Sequence, residues 1–438
     1  MVSLALSIGL FGMTTSVAAH EVKLSVVAPS EVRIRIDSIG PGSEWSFPNA
    51  YAGVLGIAER VQEFRAFGRD GEDVVAQKIA TGLFRSQQVA ETIEYVVKLP
   101  PPDAASVSHV TWISGDSGLL MLNDLLPESL PSLLFEISLP SGWTCQSQYL
   151  PNVDRKYWVA QPEKTIFFIG RSLRTQSERV GGLPFNVTID GEWPFKDAIV
   201  TRAAAKVFDK YVAMTGSGIS AKPVIMVAPL PVATGSVKWR AETRGHTVVL
   251  LMDPRAKIDN WNGQLGIIFT HELLHLWVPN SLLLDGDYDW FFEGFTMYTA
   301  LVTALELKFI DRHEFVATLG RVYDSYLSRP DDLSLIDASE RRWTSGNSSV
   351  YDKGMLVALL YDLAITRESG GKLRLTTSIY PKLFASAPGS GNGNEVIIKL
   401  LSATPSGADL AKNYIEGQRE LDLKRLLADQ KQLSKLLR

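Results

Sequence analysis

Two histidines four residues apart, with a glutamate directly after the first, stand in His271-Glu272-Leu273-Leu274-His275. On a helix, residues four apart share a face. His271 and His275 can therefore direct two imidazole nitrogens at one metal ion. Glu272 falls one step round from His271, beside the metal and not among its ligands, where a base acting on metal-activated water belongs. The alternative is a pair of buried histidines on a core helix. Zinc in a hydrolase takes three protein ligands and keeps one position for water, so a third ligand must come from elsewhere in the chain. Trp290-Phe291-Phe292-Glu293-Gly294-Phe295 offers a carboxylate in very apolar surroundings, and a lone buried carboxylate is costly without a partner. One zinc ion per chain on His271, His275 and Glu293 answers both needs. The alternative for Glu293 is a surface glutamate facing the positive end of a helix.

The elements that must hold these residues are partly visible. Residues 265–278 form an apolar helical stretch, and Pro279 ends it. Helices are expected at 195–214, 290–307 and 350–365, the last with Ser349 and Asp352 as a start signal. Short β-branched runs at 224–228 and 247–252 read as strands. Upstream, 22–27, 31–36 and 92–99 alternate apolar and polar residues, and 133–139 is a further strand candidate. These define an antiparallel sandwich-like domain at 20–180. The run Gly181-Gly182-Leu183-Pro184 marks its end. A catalytic domain at 181–370 and a helical region at 371–438 follow. In the last, 385–394 reads as a loop. The stretch 408–437 reads as a helix whose stripe of Leu423, Leu426, Leu427, Leu433, Leu436 and Leu437 packs on the catalytic domain.

With 438 residues, 45% hydrophobic and 21% charged, the chain has the composition of a multidomain globular protein. A net charge of −4 without long single-sign runs argues against nucleic-acid binding. The single cysteine, Cys145, excludes an internal disulfide and a cysteine zinc site. Residues 1–19 read as a signal peptide: an apolar core at 4–13 precedes Val17-Ala18-Ala19 and His20, although no Lys or Arg lies near Met1. This implies export to the periplasm or the medium. A strand is the alternative. No later window is apolar enough for a transmembrane helix, so the mature chain is expected to have none.

The motif followed, after seventeen residues, by Glu293-Gly294 resembles the gluzincin zinc peptidases. Tyr351-Asp352-Lys353-Gly354-Met355-Leu356-Val357-Ala358-Leu359-Leu360 narrows this. It resembles the Y-x-K-G-x-L-V-A-L-L segment of the glycyl aminopeptidase family. The resemblance extends to Leu139-Pro140-Ser141-Gly142-Trp143 and to Tyr414-Ile415-Glu416-Gly417. It implies an α+β multidomain fold with a thermolysin-like catalytic domain, zinc, a peptide substrate and cleavage from the amino end, of the aminopeptidase kind. It also implies that Tyr351 stabilises the oxyanion; the alternative is a tyrosine packing on the core. Three departures stand out. The acidic residue that the family often has four positions after the zinc glutamate is Met297 here. The family's G-G-L-E-H strand is matched only at Glu242, within Ala241-Glu242-Thr243-Arg244-Gly245-His246. By analogy Glu242 would hold a substrate amino group; the alternative is a solvated edge-strand carboxylate. The length also leaves no room for the PDZ domain that members often carry. Endopeptidase action is the competing reading. A non-catalytic peptide-binding module is the other, and the presence of both His, both Glu and Tyr351 argues against it.

Overall fold

The computed structural model describes residues 20–423, apart from 129, 217, 220, 234–237, 256–262, 330–331 and 387–390. The signal-peptide reading of 1–19 and the leucine stripe beyond Leu423 lie outside the described residues. The chain is α+β, with a β-rich N-terminal half and helices gathered in the C-terminal half.

Alternation builds the first layer. In Glu31–Asp37, Val32, Ile34 and Ile36 are buried while Arg33 and Arg35 point outward. This strand sits inside a seven-stranded sheet of order Lys156–Val159, Leu133–Ser138, His20–Ala28, Glu31–Asp37, Thr92–Lys98, Val61–Phe67, Asp73–Val74. The pairing is not wholly antiparallel as expected. His20–Ala28 runs parallel to Leu133–Ser138, because a long excursion separates them and brings the chain back in the same direction.

A second sheet joins the two halves. It has the order Trp112–Ser114, Ser117–Met121, Ile166–Gly170, Thr144–Gln146. One of its faces (Ile113, Leu120, Phe167, Ile169) packs on Ile34, Tyr95 and Phe135 of the first layer. Its other face (Trp112, Leu119, Met121, Phe168) packs on Met226, Ala228, Val249 and Leu251. Those four belong to a five-stranded sheet of order Arg174–Val180, Leu183–Ile189, Val224–Pro229, Thr247–Met252, Trp239–Arg244. Its three inner strands are parallel and both edges antiparallel.

The Gly181-Gly182 run expected to mark a boundary at 180/181 lies inside one sheet. Gly181 and Gly182, both at positive φ, form the turn of a hairpin joining Arg174–Val180 to Leu183–Ile189 within one sheet. A two-glycine turn and a linker share the same composition, so the sequence does not separate them. Similarly, among the described residues beyond 370, Leu375, Tyr380, Ile397 and Tyr414 share one apolar cluster with Phe185, Leu273 and Leu356.

The helices are α1 (Ala198–Thr215), α2 (Gln264–His275), α3 (Thr296–Glu306), α4 (Arg312–Ser328), α5 (Leu335–Glu340), α6 (Gly354–Glu368), α7 (Leu375–Ser386), α8 (Gly393–Leu401) and α9 (Pro405–Leu410). Wide π turns lead into two of them: Trp290–Phe295 into α3 and Ser349–Lys353 into α6. The start signal read at Ser349 is therefore not a cap. The backbone enters already wound, and Asp352 instead accepts a hydrogen bond from Ser325 at 2.7 Å. The helix expected from 408 is interrupted: α9 and the π turn Ala411–Ile415 end at a bend, and 416–422 are not helical. Gly391–Asn392 pairs with Leu284–Asp285, which shortens the loop expected at 385–394. Among the described residues no helix is long and apolar enough to cross a membrane.

Candidate metal centre

α2 is apolar on nearly every side, and only Gln264, Ile268 and Glu272 escape burial. Such a helix belongs inside a core. It lies between the five-stranded sheet and α3, fixed by Thr270, which donates to the Ala300 carbonyl at 3.1 Å, and by Tyr211, which donates to the Thr270 carbonyl at 2.8 Å. His271 and His275 thus face α3 from a rigid base.

Glu293 comes to meet them because two glycines let two backbones touch. A Cβ on Gly294 would lie 2.6 Å from the Gly354 Cα and 2.7 Å from the Val350 carbonyl oxygen. This contact presses the π turn Trp290–Phe295 against Ser349–Lys353, and so sets Glu293 and Tyr351 side by side. π turns of this kind recur at functional sites.

The three expected ligands converge. The Glu293 Oε2 lies 3.3 Å from His271 Nε2 and 3.4 Å from His275 Nε2, and the two Nε2 atoms are 3.0 Å apart. Ligand atoms about 2.1 Å from a tetrahedral zinc stand about 3.4 Å from one another. The Glu293 Oε2 is buried without a hydrogen-bond partner, an atom that a cation would satisfy. The His275 Nδ1–H donates to the Val278 carbonyl at 2.9 Å, which turns the Nε2 lone pair toward Glu293. The His271 Nδ1 meets the Thr296 hydroxyl at 3.4 Å. The donor set, its spacing and its orphaned oxygen all fit zinc.

Electrostatics agree. Burial opposes charge on Glu293, but His275, His271 and Arg342 outweigh it and hold the carboxyl well below the usual range. Burial depresses His275 as well, yet the Glu293 carboxylate prevails and raises it to about 9. The proton this pair retains is charge that a bound cation would replace.

Other groups complete the site. The Arg342 guanidinium donates to Glu293 Oε1 at 2.7 Å, to Asp289 at 2.5 Å and to the Tyr351 hydroxyl at 2.9 Å. Asp289 precedes Glu293 by four positions, so acidic support arrives from the opposite direction to the Met297 position. Tyr351 is raised well above the usual phenol range, by burial first and then by Glu293. Glu272 is held by Thr243, whose hydroxyl lies 2.7 Å from Glu272 Oε2. Thr243 sits on the edge strand Trp239–Arg244, next to Glu242.

Glu242 lines the same cavity, of about 250 Å³, as His271, Glu272, His275, Glu293 and Tyr351. It is not solvated: only 8% of it is exposed. Its oxygens accept from Tyr51 at 2.8 Å and from Arg244 at 2.6 Å, and also meet His109. Tyr51 and His109 come from the N-terminal half, so the cavity is shared between halves. His246 is not part of it. The sequence gives no local sign of Arg342, Asp289, Thr243, Tyr51 or His109, because each reaches the site only through tertiary packing.

No family model and no curated protein matches the sequence. Solved structures do match. The crystal structure of an aminopeptidase N family protein from Idiomarina loihiensis superposes with a TM-score of 0.76 at 15% identity, covering 93% of this chain and 78% of that one. An M1 zinc metallopeptidase from Deinococcus radiodurans gives 0.57 at 13% identity, covering 92% and 94%. A mutant of the latter, solved with a Tyr-Ser-Ala substrate, gives 0.56. At these identities the likeness is one of fold: the chain has the architecture of the M1 zinc metallopeptidases.

Proposed function

We propose that the chain is a zinc-dependent metallopeptidase acting on short peptides. The observation that carries this reading is the convergence of two imidazole nitrogens on a buried Glu293 oxygen that has no hydrogen-bond partner, with Glu272 and Tyr351 on the same cavity. His271, His275 and Glu293 would hold the metal. Zinc there supplies a Lewis acid that polarises the scissile carbonyl and makes water acidic enough to attack near neutral pH.

The chain's own residues do the rest. Glu272, oriented by Thr243, takes a proton from the attacking water and passes it to the leaving amine. The Tyr351 hydroxyl stays protonated at any working pH and donates to the oxyanion that forms. Arg342 holds Tyr351 and Glu293 at fixed separation. Asp289 and Glu293 balance its charge.

The Tyr351–Leu360 segment supports a place near the glycyl aminopeptidases, with a thermolysin-like catalytic domain around the zinc. Aminopeptidase action is the reading that the shared fold and this segment favour. A cavity of about 250 Å³ suits one or two residues of substrate. A second reading, hydrolysis that needs no free amine, is favoured by one observation: Glu242 already pairs with Arg244. Export, read from residues 1–19, belongs to the same proposal. The test is metal-dependent hydrolysis by wild type beside Glu272→Gln.

A further inference from the structure

Glu242 faces the cavity with its charge already spent. The Arg244 Nε–H donates to Glu242 Oε1 at 2.6 Å, and both side chains are buried, at 4% and 8% exposure. Arg244 is itself fixed. Its Nη2 donates to the His109 carbonyl at 2.7 Å, and its guanidinium lies 3.9 Å from the Tyr51 ring centre. Tyr51 donates to the same Glu242 oxygen, and His109 meets the other. A carboxylate can anchor an ammonium only if its negative charge is uncompensated, since the ammonium must be stripped of water to reach it. Here a buried guanidinium two residues along the strand makes the pair neutral. His109 could only add positive charge.

We propose that Arg244 is a specificity-determining residue: it converts the wall at Glu242 from an amine anchor into a neutral surface, so that the substrate enters with an uncharged acyl group on its amino side. Such a group occurs on an acylated terminus or within a longer peptide. This rests on the peptidase reading for its biological sense, but the chemistry of the wall does not depend on turnover.

The experiment measures binding alone. Zinc-loaded protein carrying Glu272→Gln is titrated calorimetrically with leucine amide and with N-acetyl-leucine amide. The acetylated ligand should bind at least as tightly as the free amine. Adding Arg244→Met releases Glu242, and the ratio should swing toward the free amine by roughly ten-fold or more. Arg244→Lys, which keeps the charge, should leave the ratio near its starting value, an outcome that a merely structural role would not give. If Arg244→Met does not fold, Glu242→Ala decides: the proposal expects no loss of free-amine preference, and a ratio that moves only further toward the acetylated ligand, because Arg244 is left unpaired. A free-amine preference that collapses in Glu242→Ala overturns it, as does binding of neither ligand, since the cavity is then no peptide site. A longer ligand, N-acetyl-Ala-Ala-Leu amide, assigns the source: equal binding points to internal segments, and weaker binding to short blocked peptides. Hydrolysis by the chain without its Glu272 change is scored separately, so failure of the peptidase reading and failure of this one are distinguishable.

Discussion

Thr243 carries a prediction that separates positioning from chemistry. Its hydroxyl holds Glu272 at 2.7 Å, and it is not among the three residues that could hold a metal. A hydrogen bond to a charged group contributes about 1.5–3 kcal/mol. Thr243→Val, which keeps the shape, should lower kcat by roughly ten-fold or more while zinc content stays at the wild-type level. Unchanged kcat would mean that Glu272 is oriented by something else. At this scale the pairing of His271 with His275 was legible in the sequence, because their spacing is a local property of a helix. Thr243 and Arg342 were not, because their contacts join segments 29 and 49 residues apart. Glu242 was half legible: its place at the cavity followed from the strand match, but its hydrogen-bond partners Tyr51 and His109 lie 191 and 133 residues away in the chain.

The contact between the two π turns governs the site at the scale of elements. Gly294 and Gly354 touch backbone to backbone, and backbone atoms cannot yield as a flexible side chain does. Gly294→Ala should destabilise the fold by roughly 1–3 kcal/mol and weaken zinc binding with it, since Glu293 is the preceding residue. Chemical denaturation and metal titration of the same variant check this; wild-type values for both would remove the glycine pair from the account. The motif helix and the strand Thr247–Met252 were readable from periodicity. The π turns were not: their hydrogen-bonding pattern answers to the Gly294–Gly354 approach, which no local propensity encodes. The strands Ser117–Met121 and Ile166–Gly170 are buried at every residue, because each face meets a different core. The alternation that reveals strands in the first sheet is therefore absent from them.

Across the whole molecule, the Glu242 cluster ties the N-terminal half to the catalytic half. Burial raises the Glu242 carboxyl, but Arg244 and His109 outweigh it and lower it to about 2, against an ordinary 4.5. A depressed folded value means stability that is complete above about pH 4.5 and lost as the pH falls through about 2. Glu242→Gln should destabilise the protein at pH 7 by roughly 3 kcal/mol or more, because it leaves Arg244 buried and unpaired. The difference from wild type should shrink as the pH falls from about 4.5 toward 2. Denaturant unfolding at pH 7, 4 and 3 reads this; a difference independent of pH would show that charge is not what Glu242 contributes. The central claim, a zinc site that hydrolyses peptides through Glu272, is tested most directly by zinc content and peptide hydrolysis on one sample, wild type beside Glu272→Gln. One zinc per chain is expected in both, with hydrolysis in wild type alone. Absence of zinc after metal-replete purification, or equal hydrolysis by the two proteins, would contradict it.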